Sequence, residues 1–285
     1  MVNLTVYAQT DIGFIRRSNE DAFVIADLTG ASLLEEQRMA HFEVGQRGVL
    51  LAVSDGMGGH QAGEVASALV VDSLRRAMAG GTCEPPDALL EKATVQANRD
   101  VWQASHYPGR ENMGATLTAL FVRGPAAYIA EVGDSRAYLL RGGQVAQVTH
   151  DQSYVQLLVD SGAMSPIEAS KSASGNIVLQ AMGLKPEVSV ALGKLNLRDR
   201  DCLVLCSDGL SNKMSERELC GLVLTSPTLD VACNRMIALA KQRGGEDNIT
   251  AIIAGVSGDL PALVSGESIA ETLFVLQEFQ PPPST

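Results

Sequence analysis

Aspartate residues at the ends of apolar runs are the side chains of this sequence best suited to chemistry. Asp55 follows the apolar run 48–53 and precedes three glycines in four residues, so the backbone beyond it can turn sharply and approach a ligand closely. A carboxylate beside a bare glycine carbonyl offers the hard oxygen ligands that Mg²⁺ and Mn²⁺ prefer. Ser-Asp-Gly is equally an ordinary turn sequence after a strand, so this stretch alone leaves both interpretations open.

Three more aspartates repeat the arrangement. Asp134 and Asp208 each follow a β-like run and adjoin a glycine, and Asp247 comes just before such a run. If the strands lie in facing sheets with their ends at one edge, these carboxylates converge, together with the acidic pair Glu20 and Asp21. Clustered carboxylates repel one another in a poorly solvated cleft and persist there when bound cations neutralise them. The recurrence therefore predicts a metal centre, although each aspartate taken singly is more often a turn residue.

The composition limits the classes of partner. The chain has 285 residues, of which 46% are hydrophobic and 19% charged, and its formal net charge is −11. No run of Lys or Arg exceeds a pair, so nucleic acid and anionic membrane are poor partners. The five cysteines are scattered and mostly lie in apolar segments, which indicates reduced core residues of a cytoplasmic protein. The N-terminus has no signal-peptide pattern, and no run approaches the roughly 18 apolar residues of a spanning helix.

Hydrophobic periodicity predicts helices and short strands along the chain. One helix should begin with a capping box formed by Ser215 and Glu218. Helices are predicted at 61–78, 86–105, 215–224 and 228–243, and strands at 2–9, 22–28, 48–54, 115–122, 126–132, 136–140, 144–148, 187–195, 201–206 and 248–256.

These elements predict one domain over residues 1–256, built from two stacked sheets with flanking helices. Glycine-containing turns separate the four runs between 115 and 148, which predicts an antiparallel meander. Residues 151–186 are less regular and are predicted to form a mobile flap. Residues 257–285 are predicted to be a C-terminal tail largely outside the domain, with a short helix near 269–279.

Ordered motifs connect these residues to a known family. The motifs, in chain order, are Arg16 with Asn19-Glu20-Asp21, Asp55-Gly56-Met57-Gly58-Gly59-His60 with Gly63-Glu64, Met113-Gly114-Ala115-Thr116, Gly133-Asp134-Ser135-Arg136, Thr149-His150-Asp151, Ser207-Asp208-Gly209 and Asp247-Asn248. Over about residues 5–256 the sequence resembles the bacterial form of the type 2C, or PPM, metal-dependent protein serine/threonine phosphatases. The resemblance implies an α+β fold, an α-β-β-α sandwich of two antiparallel sheets flanked by helices, with a small flap subdomain. It also implies two Mn²⁺ or Mg²⁺ ions, with a third in bacterial members, and hydrolysis of phosphoserine and phosphothreonine by a metal-activated water.

The resemblance implies a ligand set at the motif positions. Asp55 would bridge the two ions. Gly56 would give its carbonyl oxygen to the second ion, helped by Glu20. Asp208 and Asp247 would complete the ligands of the first ion.

Three further roles follow from the resemblance. Asp134 would hold the third, weaker ion together with Asp208. Arg16 would bind the substrate phosphate, because a planar guanidinium fork can hold two phosphate oxygens at once; its neighbour Arg17 matches no motif position and is predicted to be a solvated surface charge. His60 would be the general acid that protonates the leaving oxygen. A histidine in a glycine-rich loop can also simply hydrogen-bond a backbone carbonyl, and both interpretations stay open.

The sequence departs from the family pattern in the flap, where Gln180 stands in place of an arginine that many bacterial relatives carry. Flap-dependent specificity is therefore in question, while the metal chemistry is not. The sequence predicts a cytoplasmic, monomeric phosphatase that acts on phosphorylated proteins and opposes a bacterial serine/threonine kinase. One alternative is a catalytically inactive phosphatase fold that binds phosphoproteins, against which the complete acid set argues. Another is a metal-dependent hydrolase of small phosphoesters.

Overall fold

The β-like runs form two antiparallel sheets, and the helical segments cover their outer faces. The computed structural model describes residues 1–30, 32–34, 39–58, 62–80, 84–169, 172, 177–264 and 266–281. The strands are β1 (Val2–Asp11), β2 (Asp21–Asp27), β3 (Ser32–Leu34), β4 (Ala40–Glu43), β5 (Val49–Met57), β6 (Gly114–Ala115), β7 (Leu117–Arg123), β8 (Ala126–Val132), β9 (Arg136–Arg141), β10 (Gln144–Gln147), β11 (Ala191–Asn196), β12 (Cys202–Cys206), β13 (Ile249–Gly258) and β14 (Leu273–Gln277). The helices are α1 (Ala62–Gly80), α2 (Pro86–Ala104), α3 (Tyr154–Asp160), α4 (Pro166–Ala169), α5 (Asp208–Ser211), α6 (Glu216–Thr225) and α7 (Leu229–Gln242).

The two sheets stack face to face with different strand orders. The first sheet has the order β10-β9-β12-β13-β1-β4. The second has the order β14-β11-β8-β7-β5-β2-β3, with the short β6 paired to the end of β5. Helices α1 and α2 pack on the second sheet, and α6 and α7 pack on the first. The predicted α-β-β-α sandwich is confirmed.

Apolar residues fill three layers, which explains why the central strands are apolar on both faces. In β5, Leu50 and Ala52 pack with the residues of α1 and α2, whereas Val49, Leu51 and Val53 pack against the other sheet. All five side chains are fully buried. Both faces of the strand are covered, so the polar alternation of a half-exposed strand is absent.

The helices begin where local sequence signals place them. At the start of α6 the Ser215 hydroxyl accepts from the Glu218 amide, and the Glu218 carboxylate accepts from the Ser215 amide at 3.0 Å, which confirms the predicted capping box. Within the parts of the chain that the structure describes, no helix is long and apolar enough to span a membrane.

The predicted meander over 115–148 is wrong, because its strands divide between the two sheets. Strands β7 and β8 pair in the second sheet, whereas β9 and β10 pair in the first. The chain crosses between the sheets at Gly133, which has a φ of +107° and whose added Cβ would lie 2.7 Å from Thr116 Cγ2. The next residue, Asp134, therefore lies on the connection between the sheets.

The segment 151–186, predicted as a flap, carries the short helices α3 and α4. It is fastened at its base to the sandwich. The Met182 amide donates to the Ala115 carbonyl at 2.8 Å, and the Gly183 amide donates to Asn98 Oδ1 at 2.7 Å. The flap is thus anchored both to β6 and to α2.

The prediction of a separate tail over 257–285 is wrong for residues 269–277. These residues form a 3₁₀ turn (Ile269–Glu271) and β14, and not the short helix predicted near 269–279. Strand β14 pairs antiparallel with β11 and becomes the edge of the second sheet. Ile269 is buried with the residues between the sheets. The backbone groups of β14 pair with the open edge of β11. The spacing of apolar residues within 269–279 cannot reveal a partner strand so far away in the sequence.

A buried ion pair joins the segment before β14 to the sandwich. Arg141 donates to both carboxylate oxygens of Asp201, at 2.7 and 2.6 Å, and to the Thr272 hydroxyl at 2.6 Å. It also donates to the Asn196 carbonyl at 2.9 Å. The two charged side chains are 2% and 0% exposed. A charge buried this deeply depends on its partner, because water cannot replace that partner.

We expect Arg141→Ala to lower the free energy of unfolding by about 3–5 kcal/mol, because the Asp201 carboxylate would stay buried without its counter-charge. Thermal unfolding would measure the loss. Lys92→Ala is the control: it removes an exposed ion pair with Glu84 and should cost about 1 kcal/mol or less. Equal losses in the two variants would contradict a structural role for the buried pair.

Candidate metal centre

Asp55 lies at the middle of the acidic cluster, and it lies within a strand. Strand β5 continues to Met57 and pairs there with β6, so the predicted end of this strand at residue 54, just before Asp55, is wrong. The Asp55 amide donates to Thr116 Oγ1 at 2.9 Å, and the Asp55 carbonyl accepts from the Thr116 amide at 2.8 Å. The backbone on both sides of Asp55 is therefore held, which restricts the direction of its carboxylate.

Gly56 occupies a point where three chain segments meet. A Cβ at this position would lie 2.1 Å from the Gly63 carbonyl oxygen and 2.6 Å from the Glu20 carbonyl oxygen. The Gly56 amide donates to the Glu20 carbonyl at 3.0 Å. The Glu20 carboxylate turns towards the start of α1, since a Cβ on Gly63 would lie 2.5 Å from Glu20 Oε2. Only glycine fits at position 56, and this packing brings Glu20 next to Asp55-Gly56.

Asp208 and Asp247 approach from the other sheet, and Asp134 approaches from the connection between the two sheets. Asp208 is the first residue of α5, and Asp247 lies just before β13. A Cβ on Gly209 would lie 3.3 Å from Asp247 Cβ, so these two acids are close neighbours. All three aspartates line one cleft of about 840 Å³, which opens towards α3 and α4. The structure thus brings these acids together.

Burial and mutual repulsion raise the pKa values of Asp55, Asp134 and Asp208. Burial, reinforced by repulsion from Asp208, raises the pKa of Asp134 to about 8. Burial raises the pKa of Asp55 well above its usual range, and repulsion from Asp21, Asp208, Asp247 and Asp134 adds to the rise. The pKa of Asp208 is raised by burial and then by Asp247. Without cations Asp134 therefore retains its proton at neutral pH, and a cation bound there would displace it.

Asp21 is a buried support behind Asp55, to which sequence reasoning assigned no separate role. Its Oδ2 accepts from Ser207 Oγ at 2.7 Å and from Thr250 Oγ1 at 2.6 Å. Burial raises the pKa of Asp21 to about 7, against the two hydroxyl hydrogen bonds. In the sequence, only its position next to Glu20 marks Asp21 as part of the site. Its role in joining β2 to β13 and to the residue after β12 depends on tertiary contacts.

Asn248 ties the loop before β2 to the strand that follows Asp247. Its Oδ1 accepts from the Glu20 amide at 2.8 Å. Its Nδ2 donates to the carbonyls of Ile12 and Ser18, at 3.0 Å each. The sequence places Asn248 in a motif beside a predicted metal ligand, Asp247. That position marks Asn248 as part of the site but does not reveal which groups it binds.

Arg16 reaches the acidic cluster from the same loop. Its Nη2 donates to Asp247 Oδ2 at 2.8 Å, and about half of its side chain remains exposed. A guanidinium has five N–H donors, so most of them stay available for an anion beside Asp247. The neighbouring Arg17 is exposed, as predicted for a surface charge.

The donor set suits divalent cations that prefer oxygen ligands. It consists of carboxylates, and Asp208 Oδ1 is buried with no hydrogen-bond partner in the described parts of the chain. Among the described side chains, no three His, Cys, Asp or Glu residues already form a complete ligand group. Mg²⁺ commonly keeps several waters and takes only one or two carboxylates, so an incomplete protein cage fits such an ion.

Comparison with known proteins assigns the chain to a family. The sequence model of the family described as "Protein phosphatase 2C" matches residues 36–249. The chain belongs to the protein phosphatase 2C family.

Curated relatives from this family are named as serine/threonine phosphatases. The serine/threonine protein phosphatase PstP of Mycobacterium tuberculosis is 37% identical over 253 residues, which cover 87% of this chain and 44% of that protein. The serine/threonine phosphatase Stp of Listeria innocua is 34% identical over 250 residues, which cover 86% of this chain and 93% of that protein. The chain thus spans less than half of the mycobacterial phosphatase and nearly all of the listerial one.

Solved phosphatase structures share the fold. The crystal structure of the M. tuberculosis phosphatase PstP matches with a TM-score of 0.77 and 34% identity, covering 90% of this chain and 100% of that one. A structure of the PstP catalytic domain in complex with two manganese ions matches with a TM-score of 0.75, the same identity and the same coverage. These matches confirm the predicted family and fold.

Two residues named by comparison with the family pattern, His60 and Gln180, are still to be placed in the structure. His60 lies outside the described residues. Gln180, which stands where many relatives have arginine, fastens the base of the flap: its Nε2 donates to Gln152 Oε1 at 2.8 Å and to the Ser189 carbonyl at 2.6 Å. Gln152 Oε1 also accepts from the Gly133 amide at 2.9 Å. Gln180 therefore connects the flap to the crossing that carries Asp134.

We expect Asp134→Asn to stabilise the metal-free protein as the pH rises. The folded-state pKa of Asp134, about 8, exceeds the ordinary value of 3.8, so the folded protein loses stability as the pH increases from about 4 to 8. Asparagine does not titrate, and the gain in melting temperature should therefore grow over this window, to a few degrees near pH 8. Thermal unfolding in EDTA at several pH values measures the gain.

Asp259→Asn, at an exposed position, is the matched control and should change the melting temperature little at any pH. A gain for Asp134→Asn that is equal at pH 4 and pH 8 would show that the buried charge is not its cause.

Proposed function

We propose that this protein is a metal-dependent phosphatase that hydrolyses phosphoserine and phosphothreonine in proteins. The observation that carries the proposal is the convergence of Asp55, Asp134, Asp208 and Asp247, with Arg16 hydrogen-bonded at the edge of the cluster. Such a cluster needs cations to neutralise it, and the guanidinium suits a phosphate. Membership of the protein phosphatase 2C family supports the same function.

We infer the metal ligands from the arrangement of the acids. Asp55 would be shared by two Mn²⁺ or Mg²⁺ ions. The Gly56 carbonyl and Glu20 would serve one ion, and Asp208 and Asp247 the other. When bound, the ions lower the pKa of coordinated water and offset the negative charge of the phosphoryl group.

The other residues would position the substrate and move a proton. Arg16 would donate hydrogen bonds to two phosphate oxygens and offset the charge that develops on them. Asn248 keeps the loop of Arg16 against β13 through three hydrogen bonds. Asp134, with Asp208, would hold a third ion. His60 would donate a proton to the serine or threonine oxygen as it leaves, since an alkoxide is a poor leaving group.

We further propose that the protein works as a monomer in the cytoplasm and opposes a bacterial serine/threonine kinase. The four cysteines in the described residues, Cys202, Cys206, Cys220 and Cys233, are free, which suits a reducing compartment. Phosphorylated proteins are the substrate class expected for a family of protein phosphatases.

We expect Asp208→Asn to reduce the release of phosphate from a phosphothreonine peptide in Mn²⁺ by at least about 100-fold, because the variant removes a charge needed to hold the ions. EDTA should abolish release by the wild type. Wild-type protein that releases no phosphate but binds the phosphopeptide would favour the inactive regulator instead. Equal turnover by the wild type and the variant would exclude the proposed ligand set.

We expect Arg16→Ala to lower kcat/KM about 10- to 100-fold, because hydrogen bonds from a charged donor contribute roughly 1.5–3 kcal/mol. Arg17→Ala is the matched control: it removes an adjacent exposed arginine and should leave kcat/KM close to that of the wild type. Steady-state kinetics with the phosphothreonine peptide separate the two. Similar losses in both variants would point to general surface charge and not to a phosphate contact.

A further inference from the structure

A second cavity lies outside the acidic cleft. It measures about 420 Å³ and is bounded by β8, β11 and β14 of the second sheet, by the end of β10 and by the flap helix α3. Its wall is mainly apolar and includes Ile129, Val148, Leu157, Leu179 and Leu273. Cavities of roughly 300–1,000 Å³ with a few polar groups are typical binding sites for small organic molecules.

One buried carboxyl forms part of this wall. Glu131 on β8 is 3% exposed. Its Oε2 accepts from the His150 amide at 2.9 Å, whereas its Oε1 is buried and has no hydrogen-bond partner among the described residues. Burial raises the pKa of Glu131 well above its usual range, although the His150 hydrogen bond opposes the rise. A buried polar oxygen without a partner is unfavourable, so a donor in the cavity would be stabilised there.

The charges around the cavity favour a cation over an anion. Its described lining includes four acidic residues and one histidine, and no lysine or arginine. Asp151 is paired with Arg136 at 2.6 Å, and Asp160 at the rim is hydrogen-bonded to His150 Nε2 at 2.8 Å. Glu131 has no such ion pair in the described part of the chain. A low-dielectric cavity lined by one sign of charge attracts ligands of the opposite sign.

We propose that this cavity binds a small organic cation, an apolar molecule with a primary ammonium group that hydrogen-bonds the Glu131 carboxylate. The apolar part of the ligand lies against Val148, Leu157 and Leu273. This binding site is separate from the metal centre and does not depend on the proposed phosphatase activity.

The cavity shares one wall with the acidic cleft that Asp134, Asp208 and Asp247 line. Asp151 and Ser153 line both. Gln152, also in the cavity wall, accepts through Oε1 from the Gly133 amide and from Gln180 Nε2. A ligand in the cavity therefore contacts the residue that joins the flap base to the sheet crossing, without entering the cleft.

The test compares three probes that share one apolar body: 4-phenylbutylamine, 4-phenylbutanol and 4-phenylbutyrate. Each is titrated into the full chain, with excess Mg²⁺ to neutralise the metal centre, and binding is followed by ¹H–¹⁵N NMR. The amine should bind with a Kd on the order of 1 mM, as expected for a ligand of this size. The alcohol should bind about tenfold more weakly, since it carries no charge, and the carboxylate more weakly still.

Two variants locate the site. Glu131→Gln keeps the volume of the side chain and removes its charge, so amine affinity should fall about tenfold while alcohol affinity changes little. Leu157→Trp fills the cavity from the side of α3 and should weaken binding of both the amine and the alcohol. Asp208→Asn at the metal centre is the control and should leave amine binding unchanged.

Several results would overturn the proposal. These are no binding by the amine, a preference for 4-phenylbutyrate, equal affinity for the amine and the alcohol, or amine binding that is unchanged in both cavity variants. Amine binding that is lost in Asp208→Asn would place the amine at the metal centre instead. If Glu131→Gln does not fold, Leu157→Trp and the order of the three probes decide the question.

Discussion

Mutual repulsion among buried carboxylates is the constraint on which the rest of this structure depends. Asp55 and Asp208 lie where burial raises their pKa values, and Asp208 and Asp247 add to the cost of ionising Asp55. A flexible scaffold would let the acids separate. Here the backbone of Asp55 is held by hydrogen bonds with Thr116, and Asp21 behind it is held by two hydroxyl groups. Three apolar layers make that framework stiff.

In the proposed mechanism Arg16 has two roles: it offsets negative charge in the acidic cluster, and it binds the substrate phosphate. Its guanidinium is hydrogen-bonded to Asp247, a proposed metal ligand, and about half of its side chain remains exposed. Cations that bind Asp247 would weaken the hold of that aspartate on the arginine. The guanidinium would then be free to turn towards a phosphate. One side chain can therefore serve both the metal-free and the substrate-bound states.

Features set by residues close together in the sequence could be predicted, whereas features set by which sheet each strand joins could not. The capping box of Ser215 and Glu218 is local, and it was predicted correctly. The acids adjacent to glycine were found because each lies beside an apolar run. By contrast, nothing in the runs between 115 and 148 shows that the chain leaves one sheet for the other at Gly133. Strand β14 was missed because the residues that it pairs with in β11 lie about eighty positions earlier in the chain and because its own side chains are largely exposed.

The hydrogen bonds of Asn248 also have a consequence for local motion. Its side chain accepts the Glu20 amide, and the Glu20 carbonyl in turn accepts the Gly56 amide. The two amide protons can therefore exchange with solvent only when the loop before β2 separates from β13 or from β5. Exchange of these protons therefore reports whether that loop is in place against the two strands. Residues from distant parts of the chain are in this way joined by one continuous series of hydrogen bonds.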